Sequence, residues 1–194
     1  MIITEKIFTE YECNKIINYA KTTSLDFKKI IDLNNSGQKI LENNKMIGGK
    51  HTSYFIYEVL NTNETMWITN KLFDWFESKT NINLFRKKYE NFPSHFAILQ
   101  YKKGNSFEKH IDLAKGFEFR RWNLGLQLNN DYDGGDYICW DETNNEVLIP
   151  KETGTAILYH CKVPHEIKEI TNGERWSLVL ALPKEFIQKK ESLI

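Results

Sequence analysis

The chain has 194 residues, a length that suits one domain with a substantial core and is short for two. Its 26 lysine and arginine residues balance its 26 aspartate and glutamate residues, so no overall field attracts nucleic acid or a membrane surface. The three cysteines, Cys13, Cys139 and Cys161, argue against a disulfide scaffold and favour a reducing, cytoplasmic compartment. The first residues lack the order of a signal peptide, and no apolar run reaches membrane length.

The first part of the chain predicts helices and a loop. Thr9–Lys21 begins with a threonine followed three positions later by an acid, a pattern typical of a helix start. Asn63–Lys79 places its large apolar residues mostly at helical spacing, and Asn63 or Thr65 is the expected cap. Lys28–Lys50 is polar with glycines at turn positions, which indicates a long mobile loop.

From residue 51 onward, short alternating runs separated by turns predict β-strands. The predicted strands are Thr52–Val59, His95–Tyr101, Arg121–Leu128, Asp136–Trp140, Glu146–Ile149, Thr155–His160, Glu166–Ile170 and Arg175–Leu182. Many short strands with Gly- and Asn-rich turns indicate a sandwich or a barrel.

Two residues in a strand-like segment form a candidate metal-binding pair. His110 and Asp112 lie two positions apart, so on an extended strand both side chains leave the same face. A second histidine from a distant strand, His165, would complete a set of two imidazoles and one carboxylate. Such a set occupies one side of a metal ion and suits non-haem Fe(II) and oxygen chemistry. A lone His-x-Asp more often has no metal-binding role, so the motif depends on its context.

Arg175 supplies part of that context. It begins a predicted strand that is otherwise apolar, where Ser177 shares its face and Trp176 points away. An arginine inside an apolar strand is unfavourable unless an anion compensates its charge. A guanidinium and a hydroxyl on one face are well matched to a bound carboxylate.

The order of the motifs carries a resemblance to a known family. The motifs are Y-x-x-G-x-x-F-x-x-H-x-D over residues 101–112, the turn segment 128–136, P-x-x-x-G over 150–154, and then His165 with Arg175. Together they resemble the 2-oxoglutarate- and Fe(II)-dependent oxygenases, most of all the prolyl 4-hydroxylase branch. The resemblance covers about residues 95–183. Many animal prolyl 4-hydroxylases carry a lysine where this chain has Arg175.

The resemblance implies a mainly β fold with flanking helices. A double-stranded β-helix core (jelly-roll, cupin-like) is expected over about residues 95–183, packed against helical N-terminal support over about residues 1–94. Both parts are expected to belong to one oxygenase domain spanning residues 1–194.

The resemblance also implies the cofactors and the residues that bind them. Fe(II) would be held by His110, Asp112 and His165, and O2 would be the oxidant. The cosubstrate 2-oxoglutarate would place its distal carboxylate on Arg175, with a further hydrogen bond from Ser177. Weaker candidates for that pocket are Tyr101 and Gln127, the latter a departure from the tyrosine seen in some relatives. Ascorbate is a candidate reductant.

The expected activity is hydroxylation of an unactivated C–H bond, with peptidyl proline as the leading substrate and succinate and CO2 as products. A free amino acid, another small metabolite or a methylated nucleobase is the alternative. Against the nucleobase, the second arginine typical of that branch is replaced by Ala181. A jelly-roll binding module without chemistry is a further alternative, although it predicts a broken ligand set. The oligomeric state stays open.

Two local hypotheses remain beside these. His160, next to Cys161, allows a zinc site with His110, although the end of a strand is the favoured interpretation. The Lys28–Lys50 segment is either a lid that closes over an extended peptide or an ordinary surface loop.

Overall fold

The computed structural model describes residues 1–22, 62–87, 96–113 and 118–188, and the backbone of residues 55–59. In chain order its elements are β1 (Ile2–Lys6), α1 (Glu10–Thr22), β2 (Phe55–Val59), α2 (Met66–Thr80), β3 (Phe96–Lys102), β4 (Phe107–His110), β5 (Arg120–Gln127), β6 (Asp133–Gly134), β7 (Tyr137–Trp140), β8 (Glu146–Leu148), β9 (Thr155–His160), β10 (His165–Ile167), β11 (Ile170–Asn172), β12 (Glu174–Pro183) and a 3-10 turn (Lys184–Phe186). The segment Lys28–Lys50 lies outside the described residues.

The strands form antiparallel sheets of six, four and two strands. The six-stranded major sheet has the order β1-β9-β5-β12-β3-β2, and the four-stranded minor sheet has the order β4-β10-β7-β8. β11 and β6 form a separate ribbon. This arrangement, with helices flanking antiparallel sheets, confirms the predicted mainly β, jelly-roll class.

Strand alternation gives the major sheet two buried faces. Its helix side carries apolar side chains such as Leu124 and Leu180, which form one core with α1 and α2. Its inner side contributes Leu99, Tyr101 and Tyr159 to a second core with residues of the minor sheet. Because successive residues of a strand face opposite sides, one strand serves both cores.

The two helix starts differ from each other. Thr9 and Glu12 form the predicted capping box: the Glu12 backbone N–H donates to Thr9 Oγ1 at 3.2 Å, and the Thr9 N–H donates to Glu12 Oε2 at 2.8 Å. Thr65, one of the two predicted caps, occupies the N-cap position of α2 but makes no side-chain capping hydrogen bond. The Thr65 backbone is already in the helical region, and its hydroxyl accepts the Thr62 N–H at 2.9 Å instead.

The predicted strands differ from the observed ones in number and bounds. The predicted strand Glu166–Ile170 is two strands, of which β10 pairs with β4 and β7 and β11 pairs with β6. β1 was not predicted and joins the major sheet beside β9, so the N-terminal support is not purely helical. The organisation as one domain over residues 1–194 stays a prediction. None of the described helices is long and apolar enough to cross a membrane.

Candidate metal centre

The three predicted metal ligands come together at one end of the minor sheet. His110 ends β4 and His165 begins β10, and the two are direct register partners. Asp112 lies in the bend after β4, so this bend, rather than strand alternation, brings its carboxylate to the histidines. One ligand atom from each residue lies within 4.8 Å of the other two. The structure thus gathers the predicted ligand set, while its role in binding iron stays a prediction.

Backbone carbonyls orient both imidazoles. His110 Nδ1 lies 2.7 Å from the Glu108 carbonyl oxygen, and His165 Nδ1 lies 3.0 Å from the Val163 carbonyl oxygen. A neutral ring that donates from Nδ1 presents the lone pair of Nε2 to the site. His110 Nε2 is buried and has no hydrogen-bond partner within the described part of the chain. A buried nitrogen of this kind fits a metal ion that would accept its lone pair.

The electrostatics of the cluster also suit a metal ion. Burial lowers the pKa of His165 to about 4, which outweighs the attraction of Asp112 for its proton. Burial alone would raise the pKa of Asp112, but the facing His165 and His110 and the Arg120 guanidinium lower it below its usual range. At neutral pH the site therefore offers a carboxylate and a neutral imidazole, the protonation states that bind metal.

Arg175 forms a candidate anion site on the inner side of the major sheet. Its side chain is fully buried, with Nη1 donating to Ser177 Oγ at 2.9 Å and Nη2 donating to Gln127 Oε1 at 2.7 Å. Its Nε has no hydrogen-bond partner, and its guanidinium forms no ion pair, among the residues that the structure describes. Because this buried charge contacts only neutral groups among the described residues, the pocket is well matched to a carboxylate.

The two weaker candidates, Tyr101 and Gln127, also lie at Arg175. Tyr101 on β3 is its register partner, and the Arg175 Cζ lies 5.2 Å from the centre of the Tyr101 ring. Burial raises the pKa of Tyr101, so its hydroxyl keeps its proton. Gln127 uses its oxygen for Arg175 and donates from Nε2 to the Tyr132 hydroxyl. Gln127 therefore orients the guanidinium, whether or not it also contacts a bound ligand.

Two tyrosines that lie next to His165 were not identified from the sequence. Tyr137 donates to the Tyr159 hydroxyl at 2.7 Å. Their ring centres lie 6.0 Å and 5.0 Å from that of His165, and the Arg175 Cζ lies 5.8 Å from the Tyr137 ring. Burial raises the pKa of both well above its usual value, so both remain donors. The sequence placed them in strands but did not show which face they occupy.

Asn123 is a further residue that sequence reasoning missed. Its side chain donates a hydrogen bond from Nδ2 to Asp112 Oδ2.

The zinc hypothesis for His160 finds no support. Its Nδ1 accepts the Lys162 N–H at 3.1 Å and its ring packs edge-on against Trp122. Within residues 1–22, 62–87, 96–113 and 118–188, the one group with metal-binding geometry is His110, Asp112 and His165.

Comparisons with known proteins agree with this site. The family described as the 2OG-Fe(II) oxygenase superfamily matches residues 96–182, which include all three candidate ligands and Arg175. Among curated proteins, the chain is 29% identical over 155 residues to a PKHD-type hydroxylase of Prochlorococcus marinus. The match covers 73% of this chain and 65% of that relative, so the chain spans just under two thirds of the relative's length.

Solved structures share the fold. A Pseudomonas putida prolyl-4-hydroxylase matches with a TM-score of 0.65 and 13% identity, over 94% of this chain and 91% of that chain. A prolyl hydroxylase from Trichoplax adhaerens, solved with a hypoxia inducible factor peptide fragment, matches with a TM-score of 0.57 and 15% identity, over 91% of this chain and 90% of that chain. These structural likenesses show the fold, and the match over residues 96–182 and the curated relative make the chain similar to the 2-oxoglutarate- and Fe(II)-dependent oxygenases, among them the prolyl hydroxylases.

Proposed function

We propose that this protein is a dioxygenase that uses Fe(II), 2-oxoglutarate and O2 to hydroxylate a peptidyl proline, with release of succinate and CO2. One observation carries the proposal: a cluster of His110, Asp112 and His165 faces the same interior as Arg175, a buried cation without an ion pair in the described residues. A 2-oxo diacid such as 2-oxoglutarate needs a metal ion for its 2-oxo acid end and a cation for its distal carboxylate, and this interior offers residues for both.

The metal ligands define the reacting end of the site. His110, Asp112 and His165 would hold Fe(II), since their ligand atoms already lie within 4.8 Å of one another. Bound Fe(II) supplies the oxygen activation that couples 2-oxoglutarate decarboxylation to hydroxylation. Three protein ligands leave coordination positions open for the cosubstrate. The contacts of the two Nδ1 atoms with backbone carbonyls would hold the imidazoles in the orientation that metal binding needs.

The inner side of the major sheet would hold the cosubstrate. The Arg175 guanidinium binds the distal carboxylate, with Nε as a donor that the protein leaves unused in its described part. Ser177 and Gln127 fix the two Nη atoms and thereby the plane of the guanidinium. The Tyr159 hydroxyl accepts a hydrogen bond from Tyr137, so its own O–H is available to donate to another group. We propose that it donates to the part of the cosubstrate nearest His165.

The substrate assignment rests on the relatives. The curated relative is named a PKHD-type hydroxylase, and two structures with the same fold are named prolyl hydroxylases. One of these holds a peptide fragment, which supports a peptide as the substrate here. Cytoplasmic location, the use of ascorbate and a lid formed by Lys28–Lys50 stay predictions, the last because that segment lies outside the described residues.

The proposal is tested by measuring succinate with and without a panel of proline-containing peptides, using protein loaded anaerobically with Fe(II). We expect a proline peptide to stimulate succinate release and to gain one oxygen atom as hydroxyproline, and the His165→Ala protein to do neither. Omission of ascorbate in a parallel reaction tests the reductant. No succinate under any condition would reject the oxygenase. Stimulation by a free amino acid or metabolite, but by no peptide, would reject peptidyl proline and favour the small-molecule alternative.

A further inference from the structure

We propose that Asn123 is a positioning residue that fixes the metal-binding carboxylate of Asp112. The inference rests on the metal site proposed above and adds a residue to it. Asn123 contacts Asp112 from the major sheet, whereas the two histidine ligands belong to the minor sheet.

The backbone of Asn123 is held on both sides. Asn123 lies on β5, where it is the register partner of Tyr159 on β9 and of Ala181 on β12. Its side chain is 1% exposed and faces inward. The next residue, Leu124, is fully buried in the core on the helix side. β5 is restrained by pairing with β9 and β12 and by the packing of Leu124 on its other face. Asn123 is therefore a rigid support for the Asp112 carboxylate that its amide contacts.

The amide distinguishes the two oxygens of Asp112. Asn123 Nδ2 donates to Oδ2, which lies 3.5 Å from His165 Nε2. The other oxygen, Oδ1, lies 3.6 Å from His110 Nε2 and 3.9 Å from Arg120 Nη1. A carboxylate held at one oxygen by a neutral donor has a fixed rotation and presents the other oxygen to a metal ion.

This contact connects two parts of the fold that do not share a strand. His110 and His165 pair directly across β4 and β10, so the minor sheet alone sets their separation. Asp112 lies beyond the end of β4 in a bend, where its N–H donates to the Cys161 carbonyl at 3.0 Å. That bond fixes the backbone of Asp112 but not the torsions of its side chain. The amide of Asn123 supplies the restraint on the carboxylate.

The carbonyl oxygen of the Asn123 side chain argues against a role in packing alone. Asn123 Oδ1 is buried without a hydrogen-bond partner in the part of the chain that is described. An unsatisfied buried acceptor destabilises the folded state, and an apolar side chain of the same size would avoid this penalty. The polar group is therefore best explained by what its Nδ2 does for Asp112.

The test measures metal binding directly, without turnover. Metal-free wild type and the variant Asn123→Leu, which keeps the size but removes the donor, are titrated with Mn(II) by calorimetry. The Co(II)-saturated proteins are compared by visible absorption, which reports on the arrangement of the ligands. Loss of an outer partner of a metal ligand typically lowers affinity about 10–100-fold, and we expect that loss together with an altered Co(II) spectrum.

Two further variants keep the test decisive. Asn123→Ser is smaller, cannot reach Asp112, and should behave like Asn123→Leu if the latter fails to fold. Thr69→Val removes a buried hydroxyl on α2, where Thr69 donates to the Met66 carbonyl at 2.9 Å, and should leave both readouts unchanged.

The outcomes separate the two proposals. Wild-type Mn(II) affinity and a wild-type Co(II) spectrum in a folded Asn123 variant would overturn the assignment. So would a weaker affinity that comes with an unchanged spectrum and a matching loss of thermal stability in the metal-free protein, since that describes packing alone. A wild type that binds neither Mn(II) nor Co(II) would instead reject the proposed metal site, and with it the basis of the role of Asn123.

Discussion

The two faces of the major sheet come from the same strands but differ in chemistry. On β12, Trp176, Leu178 and Leu180 pack into the core formed with the helices. The alternate residues Arg175 and Ser177 face the minor sheet, where they bond to each other. The same division holds on β5, whose even-numbered leucines lie in the helix-side core.

The two faces also differ in whether their buried polar atoms have hydrogen-bond partners. Three buried polar atoms without partners in the described residues, His110 Nε2, Asn123 Oδ1 and Arg175 Nε, lie around the interior that faces the minor sheet. Unsatisfied polar groups reduce stability, and they persist at sites where a ligand completes them. The helix side therefore stabilises the fold, and the inner side is the proposed ligand-binding side. Substitutions of neighbouring residues on one strand should then change different measurable quantities.

The largest effect expected is the loss of metal binding by His165→Ala. Removing one of the three ligands leaves an incomplete set, so binding of Fe(II) or Mn(II) and all turnover should disappear. Titration calorimetry and succinate release measure the two effects. His160→Ala is the matched control, since His160 lies outside the cluster and its loss should change neither. Full turnover by His165→Ala would reject the ligand assignment.

On the helix side, Leu180→Ala should reduce the free energy of unfolding by about 2–5 kcal/mol, because it leaves a cavity in a well-packed core. Leu180 is fully buried there. Urea unfolding measures the change, and Val179→Ala, a neighbouring half-buried residue, should cost less. The affinity of the folded Leu180→Ala protein for 2-oxoglutarate should equal that of the wild type. A large loss of affinity would show that the two faces are not independent.

On the inner side, Arg175→Met should have the opposite profile. Removing the guanidinium leaves the distal carboxylate of 2-oxoglutarate without its partner, which should weaken binding by about 2–5 kcal/mol. Stability of the ligand-free protein should change little, because a buried charge without an ion pair in the described residues is replaced by an apolar chain. The KM for 2-oxoglutarate and the affinity for Mn(II) are the measurements. Unchanged cosubstrate binding would show that the carboxylate pocket lies elsewhere.

His165 on the inner side should contribute to the pH dependence of stability. The pKa of His165 is about 4 in the folded protein, below its ordinary value, because burial disfavours the imidazolium. Between that value and about 6.5 the unfolded chain binds more protons, so stability is present at neutral pH and falls as the solution is acidified. The helix-side Cys13 stays neutral across this range, because burial raises its pKa to about 12.

This contribution is measured on metal-free protein by urea unfolding at pH 7 and pH 5. Acidification should lower the unfolding free energy by on the order of 2 kcal/mol through His165. The variant His165→Leu should lose that part of the dependence, whereas Leu180→Ala, which removes no titratable group, should keep it. An identical pH dependence in His165→Leu would show that another group is responsible.

The sequence predicted which three side chains cluster, but not what surrounds them. His110 and Asp112 are two positions apart and His165 precedes Arg175 by ten, so local spacing and a family resemblance sufficed to find them. Tyr159 and Asn123 lie in strands whose existence was predicted. Their place at the site depends on which strands are neighbours and which face turns inward, and local patterns do not report this.

The same limit explains the errors in the fold. The Glu166–Ile170 run alternates like one strand, but its two halves pair with different partners, and only the tertiary structure decides those partners. β1 is a short segment that becomes a strand by pairing with β9. At Thr65 the residue type fits a helix cap, yet the backbone conformation prevents the capping bond. Residue types and spacing predicted the classes of element, and long-range contacts decided the rest.

The smallest effect expected is that of Ser177→Ala, and it tests how finely the inner side is tuned. Ser177 Oγ accepts the Arg175 Nη1 hydrogen bond at 2.9 Å, so its loss should free the guanidinium to rotate without removing its charge. A single hydrogen bond of this kind contributes about 1 kcal/mol, which corresponds to a roughly fivefold increase in the KM for 2-oxoglutarate. Ser78→Ala makes the same chemical change on α2, where Ser78 donates to the Trp75 carbonyl, and should leave the KM unchanged. An effect in the control as large as in Ser177→Ala, or none in either, would mean that Ser177 does not orient Arg175 for the cosubstrate.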